Sequence, residues 1–115
     1  MPSGARAKIG TRAFIAIGLL YGEKHSFMHD LESFFWVLFW ICIHRNGPNE
    51  KSRVVSRFEK WNCAEVEELA GIKLGTVAKE AIFLRTMTDN STHYYLPLIP
   101  WINRLRKAVF PMDKP

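Results

Sequence analysis

Ten apolar residues follow one another without a polar break from Phe34 to Ile43. Ser26 and Asp30 precede them, both able to serve the free amides of a first helical turn, and Gly47-Pro48 follows as a terminator. The pattern predicts a helix over about 28–44. The apolar run is too short for a membrane span, which takes about 20 residues. A helix that is apolar on every face has to be buried on every face, so two or three further helices are expected around it.

The rest of the chain supplies them. Residues 1–13 are rich in Gly, Ala, Ser and basic side chains and predict an extended or disordered lead-in. Phe14 to Tyr21 is long enough for one or two helical turns, and Gly22 ends it. After a polar loop at 49–52, Val54, Val55, Phe58 and Trp61 recur at helical spacing. Ala64 to Ala70 carries an acidic face of Glu65, Glu67 and Glu68. Gly71 and Gly75 predict a break, and Thr76 to Thr86 a further helix with Val77, Ile82 and Phe83 inward. Residues 89–92 read as a turn. A last helix is expected from Ile99 or Pro100, proline being tolerated in a first turn, with Trp101, Leu105, Ala108 and Val109 as its apolar face and Pro111 as its stop. No stretch alternates with period two. The fold class expected is all-α: a bundle of five or six helices around one buried central helix.

Composition narrows the function classes. The 115 residues allow one domain, and 48% hydrophobic with 23% charged residues excludes wholesale disorder. Four Trp and eight Phe predict an aromatic core. The net charge of +5 raises the question of an anionic partner, but the basic residues are scattered apart from Arg104, Arg106 and Lys107, so neither nucleic acid nor membrane is expected as a partner. Cys42 and Cys63 make no disulfide framework, and the polar first ten residues lack the apolar centre of a secretory signal. An intracellular setting is expected. His25, His29, Cys42 and His44 fit no metal-ligand spacing, and no nucleophile elbow is present.

Several segments, in order, resemble the fungal-type protein kinase family: Gly10-Thr11-Arg12-Ala13-Phe14-Ile15-Ala16-Ile17, the helix His29 to His44 opening on His29-Asp30-Leu31-Glu32-Ser33, Gly47-Pro48-Asn49-Glu50-Lys51, and Pro97-Leu98-Ile99-Pro100-Trp101. The resemblance implies the lower part of a kinase large lobe over residues 10–111, with 1–9 as lead-in and 112–115 as tail. It implies that Gly10 and Thr11 open a substrate-docking loop, the Thr being usual for serine/threonine kinases. It implies that Phe14 and Ile15 line the pocket for the substrate residue just after the phosphorylated one. Asp30 matches the carboxylate that braces the catalytic loop in this family; in this chain its expected part is structural, stabilising the helix start through the dipole.

The departures set the functional expectation. A kinase takes a Gly-rich loop, a strand lysine, a catalytic Asp and Asn and a magnesium-binding Asp, and none stands in order here. His44-Arg45-Asn46, Val77-Ala78-Lys79 and Gly71 to Thr76 mimic fragments of these motifs in the wrong places. No catalytic residue and no cofactor are therefore assigned to this chain, ATP and magnesium belonging to the full-length family. Where kinases usually place a Glu after the docking loop this chain has Gly18. Arg104 is the nearest candidate for the cation that the missing Glu would pair, with Glu23 as a substitute partner. Two functions follow: a truncated serine/threonine kinase, inactive as this chain, or a non-catalytic module that binds a protein substrate or partner. Exposed apolar surface, with association through it, is expected in either case.

Overall fold

The computed structural model describes residues 12–111. Six α-helices are present there: α1 (Ile17–Leu20), α2 (Phe27–His44), α3 (Ser56–Glu59), α4 (Val66–Val77), α5 (Glu80–Asn90) and α6 (Ile99–Val109). Short 3₁₀ turns lie at Arg12–Phe14, Lys60–Asn62 and His93–Leu98. Among the described residues no strand forms; a single bridge joins Arg45 and Ser52. The fold is all-α. No helix there is long and apolar enough to cross a membrane.

Helix α2 organises the molecule. Ser26 is its N-cap, and His29 Nδ1 accepts the Ser26 amide at 3.0 Å, the place usually taken by Glu or Gln. Its last carbonyls, which have no partner within the helix, are met from distant loops. Arg53 Nε donates to Ile43 O at 2.9 Å and its amide to His44 O at 2.8 Å. The Thr92 amide donates to Cys42 O at 2.9 Å and its hydroxyl to Arg45 O at 2.6 Å. These bonds lash the loops 45–55 and 91–93 to one end of α2.

The buried face of α2 presents Phe35, Trp36, Phe39, Cys42 and Ile43. Phe39 stacks on Trp61 at 5.5 Å, Trp36 meets Trp61 edge-on at 5.6 Å, and Phe35 meets Phe110 at 5.2 Å, geometries that add to plain area burial. Helix α6 and the 93–98 turn pack on α2, α5 touches both α2 and α6, and α4 packs on α1 and α5.

Four expectations are corrected here. The central helix is not enclosed on all sides: Phe27 and Phe34 are 70% and 56% exposed, because the partner helices all lie against the opposite face. Gly71 and Gly75 do not end a helix; α4 runs through both to Val77. Tertiary packing of Leu69, Ala70, Thr76 and Val77 overrides the local cost of glycine, and a Cβ at either glycine would meet no atom. The inward face of α6 is Ile99, Ile102, Asn103, Arg106 and Val109, while Trp101 and Ala108 face solvent. Ile82, expected inward on α5, is exposed as well. One measurement follows directly. Gly71→Ala and Gly75→Ala should each raise the unfolding free energy by about 0.5–1 kcal/mol in urea titrations; a loss would show that the helix is strained there.

Candidate functional site

Segment 12–20 lies across α2 and leaves a groove of about 280 Å³ between them, lined by Phe14, Ile15 and Leu19 on one side and Asp30, Ser33 and Val37 on the other. Phe14 is further fixed by an edge-on contact with Trp40 at 6.0 Å. The structure thus brings together three of the residues singled out from the sequence, Phe14, Ile15 and Asp30. Gly10 and Thr11 lie outside the described residues. Asp30 is exposed and bonds His25 Nε2 through Oδ1 at 2.8 Å; with Ser26 as the cap, its remaining contribution to the helix start is charge near the positive end of the dipole.

The backbone of this segment is held by two buried ionisable groups. Glu32, from α2, accepts the Ile17 amide at 2.7 Å and Trp36 Nε1 at 2.9 Å, both through Oε2. Lys73, from α4, donates its Nζ to the Ile15 carbonyl and lies over the Trp36 ring at 4.8 Å. One peptide group is therefore gripped through its carbonyl, and the next one through its N–H, by groups 41 positions apart in the sequence. Lys73 is fully buried. Burial pushes its pKa down to about 7, against the attraction of Glu32, which acts the other way.

Neither residue was expected from the sequence, yet each leaves a signal there. Glu32 is a charge within a helix otherwise apolar on that face. Lys73 stands between Leu69-Ala70 and Thr76-Val77, where the helical period calls for an inward residue. Arg106 follows the same rule on α6, falling on the face of Ile99, Ile102 and Val109.

Arg106 also corrects the assignment of the structural arginine. Arg104 is exposed and stacks on Trp101 at 4.7 Å. Arg106 is 1% exposed, donates through Nε to Asn103 Oδ1 and through Nη1 to Val77 O, both at 2.8 Å, and rests on the Phe83 ring. Its Nη2 has no partner among the described residues. Asn103 in turn donates to Glu80 Oε2 at 2.7 Å. Glu23 does not reach either arginine. It folds over Gly18 and pairs with His29 at 3.1 Å. A Cβ at Gly18 would collide with the Glu23 carboxylate and come within 2.8 Å of His29 Nε2, so the absence of a side chain at 18 is what admits Glu23.

At the other end of α2, His44 stacks on Trp40 at 4.1 Å and donates its Nδ1 proton to Trp40 O at 3.0 Å. Burial lowers its pKa, and the ring packs between Trp40 and Phe58. Among the described residues no three His, Cys, Asp or Glu side chains gather as a metal site would require.

An all-α body organised by α2, with a loop clamped to it beside a groove, is the setting for the comparison with known families. The family described as fungal protein kinase matches residues 1–42 of the chain. Those residues are similar to that family, and they comprise the groove-lining segment and most of α2. No curated protein and no solved structure matches.

Proposed function

We propose that the chain is the substrate-docking part of a serine/threonine protein kinase body, and that it binds protein without itself transferring phosphate. One observation carries the reading: the stretch similar to fungal protein kinases is the stretch that builds the groove. The groove is shallow, apolar along Phe14, Ile15, Leu19 and Val37, and acidic at one end through Asp30. It suits one apolar side chain of an extended peptide. Preorganisation by Glu32 and Lys73 supports the same reading, because a held loop loses less freedom when a peptide binds.

The test has two arms. The purified chain, given radiolabelled ATP, magnesium and a Ser/Thr peptide library, should transfer no label. The same chain on a surface should retain peptides with an apolar residue directly after the Ser or Thr, and Val37→Asp should weaken retention about tenfold, the effect of roughly 1.4 kcal/mol. Label transfer would overturn the non-catalytic part of the reading. Retention indifferent to Val37→Asp would overturn the docking part.

A further inference from the structure

A second cavity lies at the C-terminal end of α2, away from the groove. It measures about 300 Å³, and Trp40, His44, Arg45, Arg53, Glu59 and Asn62 stand in its wall. Two atoms of these residues, His44 Nε2 and Arg45 Nε, are buried and have no hydrogen-bond partner among the described residues. His44 is 6% exposed and its ring is fixed. Trp40 stacks on it at 4.1 Å, Phe58 meets it edge-on at 6.1 Å, and Nδ1 donates to Trp40 O. With the proton on Nδ1, Nε2 presents a bare lone pair, whereas Arg45 Nε can only donate. Buried polar groups are nearly always matched, so consecutive residues here carry one unmet acceptor and one unmet donor. The wall itself is already held in shape. Arg53 is spent on Ile43 O and Asn90 O, and Arg45 pairs with Ser52 across the antiparallel bridge.

We propose that this cavity binds a neutral primary carboxamide, the group of a glutamine or asparagine side chain, with its NH2 toward His44 and its carbonyl toward Arg45. The chemistry of the wall selects this class. A carboxylate would set an oxygen lone pair against that of Nε2 and a negative charge near Glu59. A cation would meet Arg45 and Arg53. A hydroxyl offers one donor, whereas the carboxamide offers two, one for Nε2 and one for Glu59. Glu59 is close enough for this: burial lowers the His44 pKa, and the Glu59 charge works against it. The two lone pairs of the carbonyl suit Arg45 Nε and the side-chain amide of Asn62. The volume exceeds the roughly 30 Å³ of a single water, so the cavity has room for the amide and the carbon that bears it. The cavity and the groove share no lining residue, and the proposal does not depend on the docking reading.

Nitrogen NMR of the histidine side chains tests it. Acetamide titrated into the whole chain should move the His44 Nε2 resonance saturably, with a Kd of about 1–10 mM, as suits so small a ligand. Acetate, methylguanidinium and ethanol at the same concentrations should leave it in place. N-methylacetamide, which has a single N–H, should bind about 3-fold more weakly. Free glutamine and a blocked peptide containing one glutamine, run in parallel, tell a small-molecule source from a protein side chain by which binds more tightly. His44→Phe keeps the stack on Trp40 and should weaken acetamide binding about tenfold, read from the backbone amides of residues 45 and 62. If it loses helical circular dichroism, Arg45→Met, at a half-buried position, replaces it with the same expected loss. An unmoved His44 resonance, as when water alone fills the cavity, would overturn the proposal. So would equal shifts with acetate or methylguanidinium, or acetamide binding unchanged in the folded variants.

Discussion

Glu32→Ala is expected to lower the unfolding free energy by about 3–5 kcal/mol, the range for breaking a buried charged network from one side. The change removes one acceptor oxygen but orphans two buried donors, the Ile17 amide and Trp36 Nε1, and each unsatisfied group costs about 1–3 kcal/mol. It also leaves Lys73 among aromatic rings without its compensating carboxylate. A domain with a total stability of roughly 5–15 kcal/mol would be brought close to unfolding. Glu32→Gln separates the contributions. Its amide oxygen can keep one or both donors, so the loss should be about 1–2 kcal/mol. Urea titration gives the totals, and amide exchange at Ile17 gives the local part: protection at Ile17 should fall in both variants while that of the α2 interior persists in Glu32→Gln. Equal, small losses for the two variants would show that Glu32 is a bystander to the loop.

That network explains how far the chain was legible. Helix α2 could be read from its apolar run and flanking signals to within a residue, and the start of α6 from Pro100. What failed were judgements about which side of a helix faces inward. On α6 the choice went to Trp101 and Ala108 because they are apolar. The fold instead buries Asn103 and Arg106, whose polar atoms find Val77 O, Glu80 and each other. A hydrophobic scale has no means of anticipating that Val77 O at the end of α4 will accept from the guanidinium and Glu80 of α5 from Asn103. The same blindness hid Lys73, whose partners lie 58 and 37 residues away at Ile15 and Trp36.

The groove shows the complementary case. Phe14 and Ile15 were named through resemblance to kinases as lining a substrate pocket; the structure sets both beside a groove with Asp30. Resemblance supplied no reason for that loop to hold its shape here. The substitution at Gly18 was legible as a departure, but its consequence was not: the vacated space is taken by Glu23 and His29, and the cation problem moves to Arg106. Local pattern fixed elements, therefore, while the clamps between elements depended on pairings across the whole chain.

The buried lysine makes stability depend on pH in a definite direction. Lys73 keeps its proton up to about pH 10.5 in the unfolded chain but only to about 7 in the folded one. Between those values the unfolded state binds more protons, so stability rises with pH across the window. Below it both states are charged and the full cost of burying the ammonium is felt. The slope approaches about 1.4 kcal/mol per pH unit, and from about pH 7 to 9 the parent chain should gain roughly 2–3 kcal/mol. Lys73→Met should remove this gain. At acid pH it should be at least as stable as the parent, because Glu32 retains its two N–H donors and only the Ile15 carbonyl loses one, worth about 1 kcal/mol. Lys73→Arg should behave oppositely: the guanidinium does not shed its proton, and its bulk does not fit a fully buried site, so the variant should be destabilised at every pH by about 3 kcal/mol or more. Urea titrations of the three proteins across the window decide the matter. Parallel curves for the parent and Lys73→Met would show that the amine titrates alike in both states, and the buried clamp on Ile15 would then have to be abandoned.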